Sequence, residues 1–357
     1  MTNRVAIITD THWGARSDNL TYLDYFERFY TEVFWPKIDE LGIDTILHLG
    51  DIVDRRKFIN YITLERMNEV FFDNIRKRGI DFHLVVGNHD IPYRHSNDLN
   101  AISVLRDVDN ISLYDKPTTV AIKGNPILFI PWVNRENEEA TLAEIERTGA
   151  KIAMGHLQIQ GADMGGGQIA RHGTSASTFA KFDVVLSGHF HKRTVYENIH
   201  YIGNPYHMYW DDFGTDRGFT IMDLDTQEME LIQNPHSIFN KIYYNDVGKS
   251  FKEVMDFNFT TCTNSYCKLI VEQRENPYWF DQFVSKIDKS SPANLQIIDV
   301  EILQENLTDE DVAEEVENTL TTIEKYVTNN VSDKIDKDKL TYLLQVLYRE
   351  AETLEGA

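Results

Sequence analysis

Over roughly its first 235 residues the chain alternates short apolar, β-branched runs with longer amphipathic stretches. VAIIT (5–9), TILHL (45–49), FHLVV (82–86), KIAM (151–154) and FDVVL (182–186) are apolar on both faces, the pattern of strands buried in a parallel sheet. Between them the period changes. Tyr22, Phe26, Phe29, Val33 and Ile38 predict a helix over Leu20–Leu41, stopped by Gly42. Thr63–Lys77 predicts a second helix, Asn97–Arg106 a third, and Glu136–Arg147 a fourth after the strand ILFIPWV. Beyond residue 191 the runs VYENIHYIG, FTIMDLD and MELIQ are shorter and hairpin-like. The expected fold class is α/β, a mixed sheet or two packed sheets with helices outside.

Asn234-Pro235-His236 interrupts this pattern. The runs KIYYNDV, KSFKEVMDF, YCKLIVEQ, PYWFDQFVSKI and LQIIDVEIL then predict β-α-β-α-β, enough for a small two-layer α/β domain. In the tail, Thr308 and Asp311 resemble a capping box. Val312, Val316, Leu320, Ile323 and Val327 make one apolar stripe, and Leu340, Leu343, Leu344, Leu347, Tyr348 and Ala351 a second. Two amphipathic helices must bury these stripes on the chain's own body or on a partner. The expected organisation is a main domain over 1–235, an accessory domain over 236–304 and a helical C-terminal tail over 305–357.

Composition narrows the class. The net charge is −22, and residues 301–357 alone carry 15 acidic against 5 basic side chains. A broad nucleic-acid-binding surface is excluded, so any contact with DNA must come from local basic loops and bound cations. No run approaches the ~18 apolar residues of a membrane span. The N-terminus runs straight into the first strand, with no signal peptide. Two cysteines, Cys262 and Cys267, build no disulfide framework and have no His or Cys partners for zinc, so a reduced, cytoplasmic setting is expected.

The polar residues that follow the strands carry the chemistry. Asp10-Thr11-His12, Gly50-Asp51, Gly87-Asn88-His89-Asp90, Gly155-His156 and Gly188-His189-Phe190-His191 each come where an apolar run ends. In an open α/β sheet the crevice beyond the carboxyl ends of the strands is where ligands bind. A lone Asp there is usually a turn residue and a lone His a satisfied core group. Five clusters at the same kind of position are hard to explain by packing. His48, His83, His95, His172, His200, His207 and His236 stand outside them and read as core or surface groups. Oxygen and nitrogen ligands without cysteine suit Mn, Fe, Zn or Co. The set is large enough for two ions, which at ~3.5–4 Å can clamp a phosphate for in-line attack.

Taken together, the clusters resemble the calcineurin-like metallophosphoesterase superfamily, whose pattern D-x-H, G-D, G-N-H-D/E, G-H, G-H-x-H is met in full across residues 1–235. The resemblance implies a β-sandwich flanked by helices. It implies Asp10, His12, Asp51 and His191 on a first metal, and Asp51, Asn88, His156 and His189 on a second, with Asp51 bridging. His89 would be the catalytic histidine, not a ligand, oriented by Asp90. The two divalent ions would be Mn²⁺, with Mg²⁺, Fe²⁺ or Zn²⁺ as alternatives.

Within the superfamily, Thr9-Asp10-Thr11-His12-Trp13-Gly14, Gly203-Asn204-Pro205-Tyr206 and Arg217-Gly218-Phe219 resemble SbcD-type DNA repair nucleases, and the short cap and overall length are similar to the version in T-even-type bacteriophages. That resemblance implies a 3′→5′ exonuclease with endonuclease activity on single-stranded or hairpin DNA. It also implies a DNA-binding cap, a tail bound to the coiled coil of an SbcC-type ATPase, a homodimer, and a host-cytoplasmic setting if the chain is phage-encoded. Arg16, Arg55, Arg56, Lys57, Arg94, Lys192 and Arg193 follow the clusters and are candidate phosphate contacts. Asp54 is a departure, since some members carry a histidine there that helps place DNA. Gly50 to Arg55 also fits the G-D-x-V-D-R of protein phosphatases, but Arg56 and Asp90 do not continue it. A small-molecule phosphodiesterase, a protein phosphatase and a metal-free scaffold are the alternatives.

Overall fold

The computed structural model describes residues 3–93, 95–101, 111–164, 168–299, 327–328 and 337–344. The chain divides into two units. The first comprises residues up to Tyr206 together with Gly214–His236, and the second comprises His207–Phe213 with the chain from Ser237 onward.

In the first unit the apolar runs form strands, as their burial demands. One six-stranded sheet contains β1 (Arg4–Ile8), β2 (Thr45–His48), β3 (Asp81–Val85), β4 (Ile111–Tyr114), β13 (Gly218–Asp223) and β14 (Met229–Gln233), in the order β14-β13-β1-β2-β3-β4. The other contains β5 (Thr118–Ile122), β6 (Asn125–Ile130), β7 (Ile152–His156), β10 (Val184–Gly188), β11 (Thr194–Tyr196) and β12 (Ile199–Tyr201), in the order β11-β12-β10-β7-β6-β5. A two-stranded ribbon, β8 (Ile159–Gln160) with β9 (Thr174–Ser175), lies apart from both. Parallel pairs occupy each centre and the sequence-predicted hairpins, β11–β12 and β13–β14, one edge of each, so both sheets are mixed. They face one another across a common core. Val5, Ile7, Leu47 and Val85 from the first sheet pack with Ile127, Phe129, Met154 and Leu186 from the second. Each such fully buried side chain contributes roughly 1.5–3 kcal/mol.

Helices cover the outer faces. α1 (Leu20–Phe29) starts at Asn19, whose side chain accepts from the amides of Thr21 and Tyr22 at 2.9 and 3.4 Å. It runs through a π-helical turn (Tyr30–Phe34) into α2 (Trp35–Leu41), which ends at Gly42 in the left-handed conformation. α3 (Tyr61–Met67), a second π turn (Asn68–Phe72) and α4 (Asp73–Arg78) repeat the arrangement. Both helices match their periodicity, but the π turns were not legible in it. Tyr30, Phe34 and Phe71 from these turns form one aromatic layer that reaches Phe82 of β3. α5 (Glu138–Arg147) covers the outer face of the second sheet. The helix predicted over Asn97–Arg106 does not begin as expected. Asn97 to Asn100 form a turn in which Asn97 Nδ2 donates to Trp132 O at 2.9 Å and Asn134 Nδ2 donates to Asn97 Oδ1 at 3.0 Å. The rest of that segment lies outside the described residues.

The second unit is a three-stranded parallel sheet, β15 (Phe239–Asn245), β16 (Tyr266–Gln273) and β17 (Asn294–Asp299), in that order. α6 (Phe251–Val254) and α7 (Pro277–Lys289) connect the strands, and Ile242, Tyr244, Leu269 and Val271 pack with Phe280, Phe283 and Ile287. The segment His207–Phe213 belongs here although it precedes the break at 234–236. Trp210 packs at a tilt against Phe239, with ring centroids 4.6 Å apart, and Lys268 lies 4.8 Å above the Trp210 ring. Of the tail, 327–328 and 337–344 are helical, and the rest of the predicted pair lies outside the described residues. Among the described residues no helix is long and apolar enough to cross a membrane.

Candidate metal centre

All five polar clusters emerge at carboxyl ends of central strands. Asp10, Asp51 and Asn88 follow strands of the first sheet, while His156 ends β7 and His189 and His191 follow β10 of the second. The two sheets approach so closely here that side chains are excluded between them. A Cβ on Gly188 would lie 2.1 Å from Thr9 Oγ1, and one on Gly50 2.7 Å from His156 Nδ1. Four candidate ligands also have positive φ: Asp10 (51°), His12 (41°), Asp51 (54°) and His189 (88°). Left-handed backbone costs a non-glycine residue about 1–2 kcal/mol, and such strain persists only where surrounding contacts impose it.

The donor atoms converge into overlapping groups: Asp10, His12 and His191; His12, Asp51 and His89; Asp51, His156 and His189. His12 Nε2 faces His191 Nε2 at 3.1 Å and Asp51 Oδ2 at 3.8 Å. His156 Nε2 faces Asp51 Oδ2 at 3.3 Å and Asn88 Oδ1 at 3.0 Å, and His189 Nδ1 lies 2.8 Å from the same Asn88 oxygen. Asp51 Oδ1 is taken by the His89 amide at 2.7 Å, which leaves Oδ2 turned toward both histidine groups. His156 Nδ1 donates to Leu49 O at 2.8 Å, so the lone pair that Nε2 exposes once it sheds its proton points inward. Buried oxygen and nitrogen atoms converging in this way fit two divalent cations.

The electrostatics agree. Burial pushes the Asp10 carboxyl up to about 6, with Asp51 adding to the rise against the pull of His156 and His12. Burial works the same way on Asp51, but His156, His89 and His12 hold it well below the carboxylate range. Burial alone would lower the imidazoles of His12 and His156, yet the surrounding carboxylates raise both to about 9. The pocket attracts cations, and because ligands must shed protons to bind metal, uptake is favoured as pH rises.

Asp90 differs from its expected role. Its carboxylate accepts from the amides of Asp51, Ile52, Val53 and Gly87 at 2.8, 2.9, 3.3 and 2.8 Å, and so fixes the Asp51 loop. It does not orient His89. His89 Nδ1 lies 2.6 Å from the carbonyl of Asp54, which leaves Nε2 facing the site. The Asp54 carboxylate also lies 3.3 Å from His12 Nδ1, so the residue read as a departure braces two site histidines. Sequence reasoning also missed Trp132, whose ring packs against His189 and His156 at 5.1 and 6.1 Å, and Arg217, whose buried guanidinium donates to the carbonyl of His191 and to Asn204 Oδ1. The Arg217-Gly218-Phe219 motif was the available signal for the second.

The candidate phosphate contacts divide. Arg193 is half-buried and donates through Nη1 to Ile202 O and Thr220 Oγ1 at 2.7 and 3.1 Å, which ties it to the fold. Arg55 pairs with Asp18 at 3.2 Å and lies over the exposed Phe58 ring. Arg16 lies 5.9 Å from the Tyr22 ring, in a turn where Arg16, Ser17 and Asp18 all have left-handed φ. Arg56 and Lys192 are half-buried, Lys57 is exposed, and Arg94 lies outside the described residues.

Two packed mixed sheets with a dimetal His/Asp site at their strand ends define a metallophosphoesterase, and the family model for calcineurin-like phosphoesterases matches residues 3–193. The chain belongs to that family. It is 31% identical over 315 residues to exonuclease subunit 1 of Enterobacteria phage T4, covering 87% of this chain and 88% of that protein. It is 24% identical over 301 residues to the DNA double-strand break repair protein Mre11 of Methanocaldococcus jannaschii, covering 78% and 79%. Among solved structures it is similar to a dimetal phosphatase from Danio rerio, with 9% identity and a TM-score of 0.41 over 66% of this chain and 96% of that one.

Proposed function

We propose that this chain is the nuclease subunit of an SbcD- or Mre11-type pair, a two-metal phosphodiesterase that trims DNA ends 3′→5′ and cuts single-stranded or hairpin DNA. It acts with a coiled-coil ATPase, as a homodimer, in break repair, recombination and replication of phage DNA. The observation that carries the reading is Asp51, whose Oδ2 faces His12 on one side and His156 on the other. Asp10, His12, Asp51 and His191 hold one ion, and Asp51, Asn88, His156 and His189 the other. Bound there, two divalent ions, Mn²⁺ in this proposal, would supply neutralisation of the phosphate and activation of water. His89 keeps its Nδ1 proton on Asp54 O and directs Nε2 at the reacting phosphate; with Nε2 also protonated, the imidazolium stabilises developing charge or gives its Nε2 proton to the leaving oxygen. The likeness to a phage exonuclease subunit and to an archaeal break-repair protein supports DNA as the substrate.

The test is Mn²⁺-dependent digestion of duplex DNA labelled at either end, run beside a chromogenic phosphodiester. Stepwise loss from 3′ ends, abolished by chelation and restored by Mn²⁺, is expected. Hydrolysis of the small ester with the duplex untouched, even with the ATPase added, would leave a small-molecule phosphodiesterase.

A further inference from the structure

We propose that Thr11, His48 and Tyr206 form a positioning clamp that holds the Asp10-Thr11-His12 loop in its metal-binding shape and sets metal affinity there without touching an ion. The inference rests on the two-metal reading above. Thr11 sits between two candidate ligands that both have left-handed φ, a conformation ordinary residues leave unless neighbours impose it. Backbone bonds tie the flanks of the loop to the segment after β2: Asp10 N to Gly50 O at 3.0 Å, His12 N to Asp51 O at 3.1 Å and Trp13 N to Ile52 O at 2.8 Å. The side chain and carbonyl of Thr11 are held separately.

His48 Nδ1 accepts from the Gly50 amide at 3.2 Å, so the ring proton sits on Nε2, 3.0 Å from Thr11 Oγ1. The Thr11 hydroxyl then donates onward to Ile52 O at 3.3 Å. The carbonyl of Thr11 accepts from the hydroxyl of Tyr206. Burial lowers the His48 imidazole to about 3 and pushes the Tyr206 phenol well above its ordinary value. His48 therefore stays neutral with the tautomer this chain of bonds needs, and Tyr206 keeps its proton. Thr11, His48 and Tyr206 are all 0% exposed, so water cannot stand in for a missing partner. Tyr206 in turn stacks on Phe26 of α1 with ring centroids 3.8 Å apart, which braces the clamp against a helix. His48, by composition a core histidine, thus links both loops that carry bridging and terminal ligands.

Mn²⁺ binding to the full chain, measured calorimetrically without DNA and alongside cleavage, tests the clamp. Thr11→Val removes the hydroxyl at constant shape, Thr11→Ser keeps it, and Tyr206→Phe removes one bond while leaving the stacked ring. Groups that orient metal ligands typically change affinity 10–100-fold. Thr11→Val and Tyr206→Phe should weaken one of two Mn²⁺ sites at least tenfold, leave the other intact and lower kcat with KM unchanged, while Thr11→Ser restores both. Wild-type Mn²⁺ affinity in the variants, including variants that only melt earlier, would overturn the proposal, as would an equal loss in Thr11→Ser. Should Thr11→Val fail to fold, Tyr206→Phe decides by the same reading. A wild-type chain that takes up no Mn²⁺ would sink the two-metal reading itself, and the clamp with it.

Discussion

At the scale of single residues, Asp90 and His89 are neighbours with separable jobs. Asp90 satisfies four buried amides, and removing an acceptor from buried donors costs about 1–3 kcal/mol for each group left unpaired. Asp90→Ala should therefore lower the melting temperature by several degrees and lose Mn²⁺ together with activity, because the Asp51 loop is released. His89→Ala should melt and bind two Mn²⁺ like the parent and lose DNA cleavage by at least a hundredfold. Metal content beside single-turnover rates distinguishes the two, and loss of one ion in His89→Ala would make His89 a ligand in the group it shares with His12 and Asp51. The ligand clusters were legible because each sits at the end of its own apolar run, a purely local signal. The groups that hold them were not. Asp54, Arg217 and Trp132 act on residues 24 to 57 positions away, and no periodicity reports such pairings.

Among the elements, the long helices were legible from apolar spacing and their stop glycines, whereas the π turns depend on how Phe34, Phe71 and Phe72 settle against Phe82 and each other. The stretch from Asn97 to Asn100 departs from the predicted helix because the Asn97 side chain bonds to Trp132 and Asn134, after β6. In the second unit the start of α7 is secured by Asp246. Burial alone would raise its carboxyl, but the amides of Glu275 and Asn276 at 2.7 and 2.9 Å and the Tyr244 hydroxyl at 3.0 Å hold it below the ordinary 3.8. A depressed carboxylate stabilises the fold fully above the unfolded value near 3.8, and that contribution disappears as pH falls through the lower folded value. Asp246→Asn should cost about 1–3 kcal/mol at neutral pH. Urea melts of the parent and the variant should then draw together only as pH falls below 3.8, and parallel loss in both would assign the acid sensitivity elsewhere.

For the whole molecule, the charge distribution separates the parts. Much of the −22 net charge lies beyond residue 300, so the tail repels nucleic acid and suits a protein partner. Removal of residues 305–357 should spare Mn²⁺-dependent cleavage of short substrates and abolish co-purification with the ATPase, and retained association would place the partner surface elsewhere. The sandwich was legible from alternating elements. That His207–Phe213 joins the second unit was not, because only the packing of Trp210 on Phe239 reveals it. The meeting of the two sheets at Gly188 and Gly50 leaves no space for a side chain on either glycine, and ligands arrive there from both layers. Metal at such a seam is a rivet through two plates. Each ion drawn in stabilises the folded chain by RT ln(1 + [metal]/Kd), about 2.7 kcal/mol at a hundredfold excess over Kd. A chelator in this protein's buffer should therefore lower its melting temperature, and the measured stability depends on the free-metal concentration at which it is read.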